Sequence, residues 1–377
     1  MTTTPDGILR LSFDPGLDTK GELHKGLSAV VQIGRTLWVA NDETISLERL
    51  VLGGEDPAAG EVSARGHERF SLDGYLDLPA PATGGKKAKE IDIEGLAFDG
   101  RHLWVVGSHS LNRKKADPDK DGVEKARETL EAEPKKEGNR YLLARIPVAE
   151  EEGVHTPPKQ DDVGRPTGAQ LRGDSTGNDL TAAVREDVPL KAFLDVPGKE
   201  NGFDVEGLAV AGGRLFIGLR GPVLRGWAVI LEVEVTEEAA EGGAPSLRLV
   251  EIGPGGRAYR KHYVQLGGLG VRDLCVVGED LLILAGPTME LSGPVAVFRW
   301  KGGAAPVGES MIARSALERI IEVPFGDGED HAEGITPFSP DGDEPRALLV
   351  VYDSASGTRS RPEDGSITAD LFPLPAS

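Results

Sequence analysis

The sequence predicts an all-β fold: a single β-propeller, with five four-stranded blades preferred over six. Three observations carry the prediction. The first is a repeat. Asp92-Ile93-Glu94-Gly95-Leu96, Asp204-Val205-Glu206-Gly207-Leu208 and His331-Ala332-Glu333-Gly334-Ile335 share one pattern. The second is a paired apolar run. After the first two copies a glycine-bearing turn leads into LWVVG from Leu103 and LFIGL from Leu215, seven positions after Leu96 and Leu208. The third is composition. Of 377 residues, 50 are glycine and 26 proline, and long apolar helical runs are scarce, which points to many tight turns.

The same spacing recovers two degenerate copies, Val30 to Leu37 (LWVAN) and Leu274 to Leu281 (LLILAG). In the last copy a longer turn leads from Ile335 to Ala347-Leu348-Leu349-Val350-Val351. The anchors Val30, Leu96, Leu208, Leu274 and Ile335 are separated by 66, 112, 66 and 61 residues, so the second unit carries 46 extra residues. Each unit offers four short β-rich runs bounded by Gly or Pro. In the third unit these are Gly207 to Val210, Leu215 to Leu219, Trp227 to Val235 and Leu247 to Ile252, the pattern of strands joined by turns. Radial repetition of such sheets leaves only short, protected edges. The run Ile8 to Phe13 precedes the first anchor and is spare, so it is expected to close the ring beside the last blade.

The chain is expected to form one domain over residues 1–377 with two insertions in the second blade. The first, about 111–139, is charged, and Gly122 to Glu133 reads as a short surface helix. The second, about 150–189, is rich in Gly, Pro, Asp and Thr and reads as a long loop. A sixth blade would have to be hidden there. Trp38 and Trp104 fall at equivalent strand positions, with Phe216 and Leu282 as counterparts, so they read as packing between blades.

Charge and cysteine content exclude several classes. A net charge of −20 argues against nonspecific nucleic-acid binding. The single cysteine, Cys275, excludes a disulfide framework and a thiol zinc site. Met1 to Asp6 lacks the basic and apolar regions of a signal peptide, and no 18-residue apolar run exists. The expectation is a cytoplasmic protein without a membrane partner.

The stretch Ile91 to Lys115, IDIEGLAFDGRHLWVVGSHSLNRKK, resembles a bacterial family known as domain of unknown function 3616. The likeness extends over most of the chain, including Asn139 to Ile146 and the copy around Glu333. It implies a shape and supplies no activity. A looser likeness, confined to the Asp-x-Glu-Gly-Leu turns, is to phytase-like propellers, which hold calcium on acidic turn residues and hydrolyse phosphate esters. That resemblance implies Asp92, Glu94, Asp204, Glu206 and Glu333 as ion ligands. The fourth copy has Arg272-Asp273 and the first Ser28-Ala29 instead of Glu-Gly, so the acidic ring is incomplete.

In a propeller the innermost strands surround one channel, so Glu94, Glu206 and Glu333 are expected to converge at its mouth, with Asp92 and Asp204 on the same side of the pleat. Converging carboxylates raise each other's pKa unless a cation neutralises them. A divalent cation such as Ca²⁺ is one remedy; Arg272, at the equivalent position of the fourth unit, is another. Ser108-His109-Ser110 ends a second strand and leads into Arg113-Lys114-Lys115. At the same mouth, His109 would transfer protons and the basic residues would hold an anion. The plainer alternatives are that each Glu caps a neighbouring turn by accepting backbone N–H bonds, and that the basic loop is merely solvated. Asp117 to Gly122 with Glu128 also satisfies the calcium-loop pattern of an EF-hand, but Glu124 stands where an apolar residue belongs.

These residues fit two functional classes. One is a metal-assisted phosphoester or ester hydrolase, with Glu94, Glu206 and His109 catalytic, the five carboxylates above on the metal, and Arg113, Lys114, Arg220 and Arg272 positioning a small anionic ligand. The other is a non-catalytic propeller that binds a ligand or protein.

Overall fold

Apolar runs closed by glycine turns pair into antiparallel ladders along the whole chain. The computed structural model describes residues 2–56, 61–82, 84, 88–159, 167–238, 244–289 and 291–374. Among them the fold is all-β and propeller-like, with three short α-helices, Pro118–Asp121, Val123–Glu131 and Asp179–Arg185. The anchors lie in strands Ala29–Ile33, Ile93–Phe98, Asp204–Ala211, Gly270–Val277 and His331–Phe338. Each pairs antiparallel with the strand after it. The five lie side by side in chain order, and His331–Phe338 also lies beside Ala29–Ile33. Val30, Leu96, Leu208, Leu274 and Ile335 accordingly line one apolar cavity of about 220 Å³.

Strand Gly7–Ser12 pairs antiparallel with Ser366–Pro373, Leu9 opposite Ala369. It also pairs parallel with Glu61–Ser71, Leu9 opposite Val62. One nine-stranded sheet therefore joins the first unit to the last.

Two details depart from the sequence reading. The run expected to finish the third sheet forms strand Ser246–Leu249, but it pairs parallel with Ala169–Leu171 in the second sheet. Arg260–Val264 takes its place beside Trp227–Val233. The physical reason is edge protection. The second sheet's fourth strand, only three residues long, leaves an edge that the hairpin Val235–Glu238 with Ser246–Leu249 covers. The second insertion is also more structured than a loop: it holds that strand, the helix Asp179–Arg185 and the hairpin strand Val154–Thr156. Residues 160–166 of it lie outside the described residues.

The first insertion is helical, over Pro118–Asp121 and Val123–Glu131. Asp117 caps its first turn, accepting from the N–H groups of Asp119 and Lys120. Glu128 lies within the second helix. The EF-hand-like pattern is thus a helix cap at Asp117, with Asp121 paired to Lys125.

The apolar core is divided between neighbouring sheets. Trp38, fully buried, packs with Leu96 and Leu103. Trp104 packs with Leu208 and Ile217, Phe216 with Leu274 and Ile283, and Leu282 with Ile335 and Val350. Val30 and Leu37 share a further cluster with Leu349 and Val351. These are the equivalent positions singled out in the sequence, and burying side chains of this size is the main force holding sheet to sheet.

Candidate functional site

A repeated β-bulge aims the repeat's polar residue. In four inner hairpins the ladder slips by one residue, between Ile93 and Gly95, Val205 and Gly207, Val271 and Asp273, and Ala332 and Gly334. The extra residues are Glu94, Glu206, Arg272 and Glu333. Bulges re-aim side chains in this way at strand ends and near sites. The first hairpin pairs Ala29–Ile33 with Thr36–Ala40 without a slip. There Ser28 instead donates to the carbonyls of Ile93, at 2.6 Å, and Ala40.

The glycines after the bulges allow close approach between sheets; no bend requires them. A Cβ on Gly95 would stand 2.7 Å from Leu208 Cβ. One on Gly334 would stand 3.2 Å from the backbone N of Val30. In the fourth unit Asp273 replaces glycine, and its carboxylate accepts from the N–H groups of Leu274 and Ile335, each at 2.7 Å. The capping role expected of the glutamates therefore belongs to Asp273.

Glu94, Glu206 and Glu333 do converge. With Asp92, Asp204 and Arg220 they line a single cavity of about 590 Å³ at one end of the inner strands. Each glutamate lies in the electrostatic field of the others. Glu206 is neutralised twice: Arg220 Nη1 lies 2.7 Å from its Oε1 and Arg272 Nε 3.0 Å from its Oε2. Arg272 also pairs with Glu333. Arg140 clamps Asp92 at 2.6 Å, with Glu137 at 3.3 Å and Glu90 at 3.4 Å. Glu94 differs. Among the described residues its carboxylate has no hydrogen-bond or ion-pair partner, and Asp92, Glu206, Glu333 and Asp42 all disfavour its charge.

Burial dominates the protonation behaviour of the site. It pushes Glu94 well above the usual carboxylate range, reinforced by Asp92 and Glu206. Glu333 is raised for the same reason against the pull of Arg272. Asp204 is raised to about 7 by burial and by Glu206, with Arg220 opposing. Asp42 is also raised to about 7, by burial and then by Asp353 and Asp92, with Lys199 opposing.

Sequence reasoning misses Asp42 and Asp353, which line the cavity. A signal for them exists: Asp42 stands twelve positions after Val30, as Arg220 does after Leu208, and Asp353 pairs with His331 at the end of its hairpin. Arg140 and Lys199 come from loops outside the repeat, and no spacing rule points to them.

The first insertion covers the mouth. Arg113 and Lys114 line the cavity. Arg113 ties the insertion down, with Nε 2.6 Å from Glu200 Oε1 and Nη1 donating to the carbonyls of Leu130 and Ala132. Among the described residues Lys114 pairs with no carboxylate. His109 does not reach the mouth: it is 2 % exposed. Its Nδ1 donates to the Gly107 carbonyl at 2.7 Å, and its Nε2 accepts from Asn178 Nδ2 at 2.8 Å. Burial lowers its pKa to about 4, so it is a neutral structural imidazole. His109 follows the strand His102–Gly107 at a backbone φ of 55°, with its ring in the wall.

Among the described residues, no three His, Cys, Asp or Glu side chains stand together as a metal-holding group. Arg140, Arg220 and Arg272 pair with Asp92, Glu206 and Glu333 of the expected set Asp92, Glu94, Asp204, Glu206 and Glu333. Among the described residues no helix is long and apolar enough to cross a membrane.

No curated protein matches the sequence. Among solved structures, the chain is similar to an exo-β-1,3-galactanase from Phanerochaete chrysosporium with β-1,3-galactotriose. The identity is 8 % and the TM-score 0.38, over 92 % of this chain and 59 % of that one. The chain thus spans about three fifths of that protein's length. It is also similar to a putative oxidoreductase (glucose dehydrogenase) from Thermus thermophilus, with 15 % identity and TM-score 0.33 over 92 % and 97 % of the two chains. A third is apo AztD from Citrobacter koseri, with 10 % identity and TM-score 0.26 over 86 % and 67 %. A family model described as protein of unknown function (DUF3616) matches residues 26–370. That match takes in every repeat anchor from Val30 to Ile335, and the chain belongs to the DUF3616 family.

Proposed function

We propose that the chain is a five-bladed propeller closed by Gly7–Ser12, and that its mouth binds a small molecule with a cationic centre and an anionic group. The carboxylates of Asp42, Glu94 and Asp353 receive the cationic centre. Arg113 and Lys114, on the covering insertion, receive the anionic group. The observation that carries this reading is Glu94: a carboxylate in a walled cavity, among other acids, without a counter-ion among the described residues. A carboxylate crowded by other acids costs stability, and a ligand that supplies the missing charge recovers it on binding.

The cationic centre is either a divalent cation such as Ca²⁺ or an ammonium group. Ca²⁺ takes six to eight oxygens, so it would need ligand or water oxygens beside these side chains. Calorimetric titration of the full chain with CaCl₂ and with spermidine tests the reading. At least one should bind, and Glu94→Gln should weaken it by about tenfold or more. If neither binds, or if the variant binds as the wild type does, the reading fails.

A second reading adds hydrolysis of an ester or phosphoester. One observation favours it: Asp42, with a pKa of about 7 at the cavity wall, is suited to accept a proton near neutral pH. The catalytic part assigned to His109 passes to Asp42. Turnover of p-nitrophenyl acetate or p-nitrophenyl phosphate that vanishes in Asp42→Asn while binding persists would support it. Absence of turnover in the wild type leaves the binding reading alone.

A further inference from the structure

Beside the charged mouth lies a second chamber of about 100 Å³, which shares Lys199, Arg220, Glu333 and Asp353 with the first. Its far wall is apolar: Pro287, Met289, Leu291, Val295 and Phe325 line it. Three of these are unusually open for apolar side chains. Met289 is 44 % exposed, Leu291 59 % and Phe325 44 %. An exposed apolar cluster at the rim of a polar cavity is the usual signature of a ligand surface.

The boundary between the chambers holds the charges that matter. Asp353 and Glu333 face both. Among the described residues Asp353 pairs with no arginine; its carboxylate accepts from Ser354 Oγ at 2.9 Å. The cations nearby are already engaged, Arg220 by Glu206 and Arg272 by Glu206 and Glu333. His331 also lines the side chamber, and its buried Nε2 has no partner among the described residues. The wall is therefore apolar on one side and carries the carboxylate of Asp353, paired with no arginine among the described residues, on the other.

We propose that the ligand of the mouth is an amine carrying an apolar substituent. Its ammonium group sits against Asp353 and the mouth carboxylates. Its aryl ring or branched alkyl group enters the side chamber against Met289, Leu291 and Phe325. The chamber is smaller than the about 150 Å³ that holds benzene, but it opens into the mouth, so it takes a branched chain or one end of a ring and no bulkier group. This deepens the proposed function, on which it rests, by naming the chemical class of the ligand.

The test compares ethylamine with phenethylamine by calorimetry on the full chain, for the wild type, Phe325→Ala and Leu291→Ala. Both positions are exposed, so both variants should fold and melt near the wild type. Phenethylamine should bind the wild type about tenfold more tightly than ethylamine, from the apolar area it buries. The two variants should abolish that advantage while leaving ethylamine unchanged. Equal binding of the two amines, or equal weakening of both by the variants, overturns the amphiphilic ligand and leaves the mouth's cation site standing. If neither amine binds while Ca²⁺ does, the class of ligand is wrong. If no cation binds at all, the proposed function falls with it.

Discussion

Glu94 and Glu206 occupy the same bulged position of the repeat, yet Glu206 is held by two guanidinium groups and Glu94, among the described residues, by none. The difference comes from neighbours. Arg220 lies on the strand Arg214–Leu224 that pairs with the strand of Glu206, and Arg272 takes the bulged position of the next hairpin. The strand paired with that of Glu94 ends at Gly107 and is followed by Ser108, neither of which carries a charge.

This asymmetry predicts opposite effects for one substitution. Glu206→Gln removes the shared partner of two buried arginines and should destabilise by about 3 kcal/mol, as breaking a buried pair does. Glu94→Gln removes a carboxylate disfavoured mainly by burial and by Asp92 and Glu206, and should stabilise the ligand-free protein by on the order of 1 kcal/mol. Thermal or urea unfolding of the two variants decides it. Equal losses in both would show that Glu94 has a stabilising role the geometry does not contain.

The raised carboxylates set a pH dependence. Asp42 has a folded pKa of about 7, against an ordinary value of 3.8. A carboxyl with a raised pKa favours the folded state fully below its unfolded value, and that contribution is lost as pH rises toward the folded value. Asp42→Asn removes the loss. The variant should therefore gain on the wild type steadily between pH 4 and 7, and no further above that. His109 titrates in the opposite sense in part of this range but is common to both proteins and cancels. Melting temperatures that stay a constant distance apart across this range would refute the assignment.

The bulge glycines should be far less tolerant than turn glycines. In Gly95→Ala the new Cβ meets Leu208 of the next sheet at 2.7 Å, and in Gly334→Ala it meets Val351 Cγ2 at 2.7 Å. Overpacking of this kind costs about 1–3 kcal/mol. Gly308→Ala, where nothing lies within 4 Å, should stay within about 0.5 kcal/mol of the wild type. Chemical denaturation of the three variants tests the contrast. A harmless Gly95→Ala would mean that the neighbouring strands are not packed as closely as described.

Much of this architecture is legible in one dimension because sheets write their period into the chain. The anchors Val30, Leu96, Leu208, Leu274 and Ile335 can be counted off, and they line one cavity. Trp38 and Trp104 can be matched in the same way, and both are buried between sheets. The spare run near the start is legible too, as a strand without a partner of its own. The assignment of Ser246–Leu249 to a neighbouring sheet is not, because edge pairing depends on which backbone groups another unit leaves open.

From residue order alone came the repeat, the strands it marks and the meeting of Glu94, Glu206 and Glu333. Repetition brings equivalent positions to equivalent places. Three-dimensional contact decided which of those carboxylates keeps an unanswered charge. Arg140, Lys199 and the covering insertion reach the mouth from outside the repeat, and His109 turns away from it into the wall. Charge compensation acts over a few ångströms of space, and in this chain that space is shared by residues hundreds of positions apart.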